Sequence, residues 1–181
     1  ELLAGVDTEF VTVEVPLALS ETLDGIERVT TIVRAMKDFS HPGGDGHELA
    51  DINQAIETTL AVARNEYKYT ADIVTDLGDL PRVECWVGDL NQVFLNLLVN
   101  GTHAIRDKHG DSGARGTLTV STRLDGEHVE LRFGDSGNGI PEDVRGQIFD
   151  QFFTTKEIGR GTGLGLSIAR AVVVEKHGGT L

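Results

Sequence analysis

The sequence of 181 residues contains one cysteine, four prolines and no long apolar run. Cys85 alone makes neither an internal disulfide nor a cysteine-based zinc site, so nothing in the sequence indicates an oxidising compartment, and we expect a cytoplasmic location. The longest apolar stretches, such as residues 171–174, are much shorter than the roughly 20 residues that span a bilayer. We therefore expect no membrane contact by this part of the chain.

Positive charge is also scarce, because 16 lysines and arginines stand against 29 aspartates and glutamates, which gives a net charge of −13. Nearly all of the acidic excess lies in residues 1–90. An acidic surface repels a phosphate backbone, which argues against a nucleic-acid partner. A small polyanion held by backbone dipoles at the start of a helix is compatible with this charge.

The first 42 residues are predicted to form a separate helical part. Apolar residues recur at intervals of three and four between Pro16 and Phe39, in a stripe close to a heptad pattern. The stripe favours either pairing with another helix, including one of a second copy, or packing onto the rest of the chain. The segment from His41 to Gly46 interrupts all regular structure. We place a boundary there, between domains 1–42 and 43–181.

Residues 43–181 are predicted to form an α+β domain with a mixed, mostly antiparallel sheet covered by helices. Asp125-Gly126 is a strong turn signal between two alternating segments. Asp51 or Asn53, and Asp89, are candidate helix caps. Gly178 ends the last helix, and a further strand would be expected after it, so we expect this domain to lack its last strand. The predicted strands are 48–52, 69–77, 82–87, 117–124 and 128–133. The predicted helices are one that begins after its cap at Asp51 or Asn53 and ends near residue 66, and the helices 90–108 and 164–176.

Two asparagines, Asn96 and Asn100, lie one turn apart in the predicted helix 90–108, whose buried side contains Phe94, Leu98 and Ile105. Asparagine is a poor helix former, so two of them inside a helix need an explanation. An amide oxygen is a neutral ligand that Mg²⁺ accepts beside water and phosphate oxygens. Taken alone, the pair also fits two solvated amides.

The segment from Asp135 to Pro141 follows directly after a predicted strand and contains Gly137 and Gly139. A carboxylate accepts a hydrogen bond from an exocyclic amine such as that of adenine. Glycine lets the backbone approach a flat ring closely. The segment therefore favours a base-binding turn, and an ordinary turn is the alternative.

Residues 159–167 place glycine at every second position and run into the last predicted helix. Converging backbone N–H groups and a helix N-terminus favour phosphate binding. The spacing fits neither the P-loop nor the dinucleotide-binding fingerprint. A flexible surface loop is the alternative.

Together and in this order, the three segments resemble the N, G1 and G2 boxes of the sensor histidine kinases, members of the GHKL ATPase superfamily. Residues 149–156 resemble the F box that lies between them. The resemblance covers about residues 48–181, and residues 16–40 resemble the second helix of the family's dimerisation hairpin. It implies a two-layer α/β sandwich of the Bergerat ATP-binding type, preceded by part of a long helix.

The resemblance also implies ATP and Mg²⁺ as cofactors and assigns roles by position. Asn96 would ligate Mg²⁺ and, with Lys156, act in catalysis, and Asn100 would contact the phosphates. Asp135 would bind the adenine amine, and residues 149–163 would form a lid over the nucleotide. The other nucleotide-binding residues that it implies are His103, Gly137, Gly139, Ile140, Thr154, Thr155, Lys156, Arg160, Gly161, Thr162, Gly163, Leu164, Gly165 and Leu166.

The sequence departs from the family's pattern at several points. Gln151 stands where proline is frequent, and Gly101 follows Asn100 where alanine is usual. None of the six histidines lies in a phosphoacceptor motif. Gln92 occupies the position where the hydrolytic members have the glutamate that activates water, and glutamine cannot act as a general base.

These features predict the ATP-binding core of a sensor histidine kinase, which transfers the γ-phosphoryl group of ATP to a histidine outside this chain. The expected partners are ATP or ADP, the receiver domain of a response regulator, and a second copy of the protein through the hairpin. Gln92 argues against the alternative of a hydrolytic ATPase of the same superfamily. The intact motifs argue against a regulatory dimerisation module that binds no nucleotide.

Overall fold

The computed structural model describes residues 14–20, 22, 46–156 and 161–181. The chain divides into two units, of which one comprises residues 42–153 and 163–181 and the other residues 1–41 and 154–162. In the second unit residues 15–20 are helical, and most of the predicted helix 16–39 lies outside the described residues. The division into domains 1–42 and 43–181 therefore stays a prediction.

The larger unit contains five strands and three α-helices among its described residues. A 3₁₀ turn, Gly110–Ser112, follows the long helix, and a π-helical segment, Ala171–Lys176, continues the last one. In order, the elements are β1 (Glu48–Ala50), α1 (Ile52–Tyr67), β2 (Ala71–Leu77), β3 (Val83–Cys85), α2 (Val87–His109), β4 (Gly116–Asp125), β5 (His128–Asp135) and α3 (Gly165–Arg170).

The strands form two sheets. In the three-stranded sheet β4 lies between β2 and β5, pairing in parallel with β2 and antiparallel with β5. The β4–β5 hairpin turns after Asp125, which lies opposite His128, as the turn signal predicts. Strands β1 and β3 form a separate antiparallel pair. The predicted α+β fold with a mixed, mostly antiparallel sheet is confirmed.

The two longer helices begin differently. Asp51 caps α1, because its Oδ1 accepts a hydrogen bond of 3.0 Å from the backbone N of Gln54, which confirms one of the two predicted caps. The predicted Asp89 cap is wrong: Trp86 is the N-cap of α2, and no side chain caps that end. Asp89 already lies in the first helical turn, where its buried carboxylate forms an ion pair with Lys176.

The hydrophobic core lies between α1, α2 and one face of the three-stranded sheet. The predicted buried side of α2 is confirmed, since Phe94, Leu98 and Ile105 are all at most 3% exposed. Phe94 stacks on Phe133 of β5 with ring centroids 5.5 Å apart. This packing fixes α2 against the strand that ends at Asp135. Among the described residues, no helix combines the length and apolar character that a membrane span requires.

Candidate nucleotide-binding site

Asp135 is the last residue of β5, and its side chain is exposed. Its Oδ1 accepts a hydrogen bond of 2.8 Å from the backbone N of Gly137, so the turn that follows the strand holds one carboxylate oxygen. The other oxygen, Oδ2, is left to accept a hydrogen bond from a ligand. The carboxylate is thus a fixed acceptor at the edge of the sheet.

The next residue, Ser136, attaches this turn to β4. Its backbone N donates to the carbonyl oxygen of Thr117 at 3.0 Å, and its Oγ accepts from the backbone N of Thr117 at 2.9 Å. The two bonds continue the β4–β5 ladder by one residue beyond Asp135. The turn therefore begins from a rigid strand end.

Helix α2 lies directly behind the turn, and each surface of this contact has a glycine, Gly101 on the helix and Gly137 on the turn. A Cβ built at Gly101 would lie 2.7 Å from Leu118 Cδ2 and 3.2 Å from the Cβ of Asp135. A Cβ at Gly137 would lie 2.6 Å from the Cβ of Ala104. At Gly137 the helix and the turn therefore approach more closely than a larger residue allows, and at Gly101 a larger residue would require side chains to move.

Asn96 and Asn100 lie beside the start of α3. Asn96 Nδ2 donates to the carbonyl oxygen of Gly165 at 3.3 Å. A Cβ at Gly165 would lie 3.6 Å from both Asn96 Cγ and Asn100 Nδ2. The structure therefore brings the asparagine pair together with the end of the glycine-rich segment.

A metal ion at this site would have few protein ligands. Among the residues that the structure describes, no group of three or more His, Cys, Asp or Glu side chains is arranged to hold a metal. Because the side-chain amide nitrogen of Asn96 donates its hydrogen bond to Gly165, the amide oxygen Oδ1 is the atom that a ligand would contact. One neutral oxygen suits Mg²⁺, which completes its shell with water and substrate phosphates.

Phe152 and Gly163, both within the predicted lid segment 149–163, are in direct backbone contact. The backbone N of Phe152 donates to the carbonyl oxygen of Gly163 at 2.9 Å. Both residues have positive φ, 66° and 65°, a conformation that costs a phenylalanine energy. A Cβ at Gly163 would lie 2.4 Å from the carbonyl carbon of Phe152, so only glycine fits there.

The other predicted site residues are distributed over both units. In the larger unit, Gly139 and Ile140 are exposed in the turn after Asp135, His103 is half-buried on α2, and Leu164 and Leu166 are half-buried at the start of α3. The smaller unit contains Thr154, Thr155, Lys156, Gly161 and Thr162, while Arg160 lies outside the described residues.

Within the smaller unit, Gly161 packs closely on Thr154 and Lys156. A Cβ at Gly161 would lie 2.7 Å from Thr154 Oγ1 and 3.3 Å from Lys156 Cδ. The backbone N of Lys156 also donates to Thr154 Oγ1 at 3.2 Å. These contacts form a short local turn around the lysine.

One residue of the site was missed by the sequence analysis. Lys108 Nζ donates to the carbonyl oxygen of Ser136 at 2.7 Å and lies 3.4 Å from that of Gly137. It follows Ala104 by four residues and Gly101 by seven, so the helical period places all three on one face. That spacing was a usable signal.

Comparisons with known proteins point to one family. The family described as "Histidine kinase-, DNA gyrase B-, and HSP90-like ATPase" matches residues 87–181. The sensor histidine kinase ZraS of Klebsiella oxytoca is 31% identical over 158 residues, which are 86% of this chain and 32% of that protein. The sensor protein FixL of Bradyrhizobium diazoefficiens is 30% identical over 177 residues, which are 94% of this chain and 33% of that protein.

A solved structure, the nucleotide-free catalytic domain of the histidine kinase ThkA, resembles this chain with a TM-score of 0.61 and 30% identity. The likeness covers 71% of this chain and 80% of the ThkA domain. By contrast, the chain spans only about a third of the length of ZraS and FixL. The similarity is thus to one part of those longer proteins.

Proposed function

Because the chain belongs to the family of histidine kinase-, DNA gyrase B- and HSP90-like ATPases, we propose that it is the ATP-binding core of a sensor histidine kinase. The observation that supports this best is the arrangement around α2. One end of the helix adjoins Asp135 and its glycine turn, and the middle adjoins Gly165 through Asn96. The proposed acceptor for a base and the proposed phosphate and metal ligands would thus lie on or against the same helix.

In this proposal Asp135 accepts a hydrogen bond from the exocyclic amine of adenine, and Gly137 and Gly139 let the ring lie close to the backbone. Asn100 and the backbone N–H groups from Gly161 to Gly165 contact the phosphates. Lys156 and Arg160 supply positive charge. Positioning of the reactants and neutralisation of the phosphate charge are the main contributions of a protein to the catalysis of phosphoryl transfer.

Mg²⁺ would be held by Asn96 Oδ1 and would neutralise charge on the phosphate oxygens when bound. A histidine nitrogen outside this chain attacks the γ-phosphorus of ATP, the bond from that phosphorus to the β,γ-bridging oxygen breaks, and ADP leaves. The imidazole proton passes to solvent. A carboxylate oxygen of an aspartate in a response regulator then attacks that phosphorus, the P–N bond breaks, and the histidine is released.

The proposed partners follow from this reaction. They are ATP and ADP, the receiver domain of a response regulator, and a second copy of the protein through the hairpin of which residues 1–42 would be part. A cytoplasmic location stays part of the proposal, because ATP is a cytoplasmic substrate.

The nucleotide site is tested by calorimetric titration with a non-hydrolysable ATP analogue, with and without Mg²⁺. We expect Asp135→Asn to weaken binding at least about tenfold, or about 1.4 kcal/mol. Asn96→Ala is expected to remove most of the Mg²⁺ dependence. Asp79→Asn and Asn65→Ala, at exposed positions of the β2–β3 loop and α1, make the same chemical changes outside the site and should leave binding unchanged.

Phosphoryl transfer is tested in the full-length protein that contains this sequence. Incubation with γ-labelled ATP should place an acid-labile label on a histidine, and Asp135→Asn should prevent it. This chain alone should bind the nucleotide and remain unlabelled. Rapid release of labelled phosphate without labelled protein would instead favour a hydrolytic ATPase, in spite of Gln92. Absence of nucleotide binding would favour a regulatory module.

A further inference from the structure

We propose that Lys108 is a positioning residue that sets the preference of the site for a 6-amino purine over a 6-oxo purine. It would act through Asp135, by holding the turn that fixes the carboxylate. This inference rests on the proposed nucleotide-binding function. The inference adds to that function a residue that determines which base the site prefers.

The turn after β5 is held on α2 at three consecutive points. Gly101 lies against Asp135, Ala104 lies against Gly137, and Lys108 Nζ donates to the carbonyl oxygens of Ser136 at 2.7 Å and, more weakly, Gly137 at 3.4 Å. The first two contacts are steric. Lys108 supplies the polar contact of the three, and hydrogen bonds from a charged donor are stronger than those between neutral groups.

Of the two carbonyls that Lys108 contacts, that of Ser136 belongs to the same peptide group as the Gly137 N–H, and that of Gly137 belongs to the next peptide group. That N–H group donates to Asp135 Oδ1 at 2.8 Å. Because these peptides are planar, fixing the carbonyl oxygen of Ser136 also fixes the direction of the Gly137 N–H bond. Lys108 thereby determines which carboxylate oxygen is engaged and which is presented to the base.

Base selectivity depends on that orientation. An ionised carboxylate only accepts hydrogen bonds, so it matches the amine at position 6 of adenine and opposes the carbonyl oxygen at position 6 of hypoxanthine. Hypoxanthine also carries an N–H group at its neighbouring ring position 1. A carboxylate free to rotate could accept from that group, and the discrimination between the two bases would fall.

The test compares the dissociation constants of MgATP and MgITP by calorimetry, since the two nucleotides differ in the base and carry the same phosphate charge. The chain as it stands should prefer ATP by at least about tenfold. Lys108→Met should reduce this ratio about three- to fivefold with an unchanged unfolding temperature. Lys108→Arg, which keeps a charged donor, should retain most of the ratio, and Lys108→Gln should give an intermediate value.

Arg106→Met is the matched control, because Arg106 is an exposed cation in the same last turn of α2. It should lower both affinities equally or not at all. Equal weakening of ATP and ITP by Lys108→Met, with the ratio intact, would overturn the inference and leave the proposed function standing. Failure of the unsubstituted chain to bind either nucleotide would overturn both. If Lys108→Met unfolds the chain, the ratio measured with Lys108→Gln decides.

Discussion

Gly101 of α2 lies directly against Asp135 of β5, so that a Cβ on the glycine would approach the aspartate Cβ to 3.2 Å. The same Cβ would lie 2.7 Å from Leu118 Cδ2. The residue that departs from the family's usual alanine is therefore in contact with the proposed base acceptor. A methyl group at this position has to be accommodated by movement of the aspartate or the leucine.

Gly101→Ala should weaken nucleotide binding about three- to tenfold while changing the free energy of unfolding by less than about 1 kcal/mol. Alanine favours the helix by up to about 1 kcal/mol, and the crowding of Leu118 opposes this gain. Calorimetry and urea unfolding measure the two quantities. Gly88→Ala, in the same helix with open space around it, should stabilise the fold and leave affinity unchanged. Unchanged affinity in Gly101→Ala would show that Asp135 tolerates displacement.

Gly163→Ala should lower the free energy of unfolding by at least about 2 kcal/mol. The substitution adds left-handed strain and a contact of 2.4 Å with the carbonyl carbon of Phe152. Gly139 has a similar φ of 71° but open space around it, so Gly139→Ala adds the strain without the contact. It should lower the free energy of unfolding by about 1 kcal/mol. Equal costs in urea unfolding would mean that Phe152 moves away freely.

Lys176→Met should cost about 2 kcal/mol of stability, because it removes the cation that pairs with the buried Asp89. The lysine Nζ also lies 4.7 Å from the centre of the Trp86 ring. Unfolding followed by Trp86 fluorescence measures the loss. Arg82→Met, at an exposed loop position, is the control. Asp89→Asn should lower the free energy of unfolding by less in the Lys176→Met variant than in the unsubstituted chain. Additive losses from the two substitutions would contradict an energetic coupling between the two residues.

Glu130 makes the stability depend on pH at the acidic end. A hydrogen bond from Arg132, together with Arg123, holds the pKa of the Glu130 carboxyl below its ordinary value. A lowered pKa in the folded state means that the stabilisation is complete above the unfolded pKa of about 4.3 and is lost as pH falls through the folded pKa. Glu130→Gln should therefore be less stable than the unsubstituted chain at pH 7, and the difference should disappear as the pH falls through the lowered folded pKa. The same difference in the free energy of unfolding at every pH would contradict this expectation. Glu66→Gln, at an exposed position of α1, is the control.

Cys85 should react with a thiol reagent only when the domain unfolds. The side chain is 0% exposed, and burial, followed by the charge of Glu48, raises the pKa of the thiol. Only the thiolate reacts quickly. Labelling with an aromatic disulfide should follow the rate of unfolding and slow when nucleotide is bound. Rapid labelling of the native protein would show that β3 opens locally.

Local patterns in the sequence were sufficient for most of the elements. The alternation on both sides of Asp125-Gly126 gave the hairpin, and Asp51 gave the start of α1. The Asp89 cap failed because the partner of that carboxylate, Lys176, lies 87 positions away. A cap is a local interaction and an ion pair of this kind is not, so no rule based on neighbouring residues distinguishes them.

The candidate site was predicted by its motifs rather than by its geometry. Asn96, Asp135 and the glycine-rich segment were each recognised in sequence, but the contact of Asn96 with Gly165 depends on how α3 packs against α2. Lys108 was not predicted as a site residue because a lysine near the end of a helix is ordinarily solvated. Its helical spacing from Gly101 and Ala104 indicates the face it shares with them, but its contact with two backbone carbonyls depends on how the turn packs against α2.

The parallel pairing of β2 with β4 imposes an order of assembly on the domain. Ala71 lies opposite Gly116, 45 residues further along the chain, and all of α2 lies between them. The closing of so long a segment has an entropic cost that is recovered only when both strands and the helix are in place. Asp135, at the end of the strand that adds to β4, therefore reaches its native position late, and a chain emerging from the ribosome should position this proposed base acceptor only after the long helix has folded back.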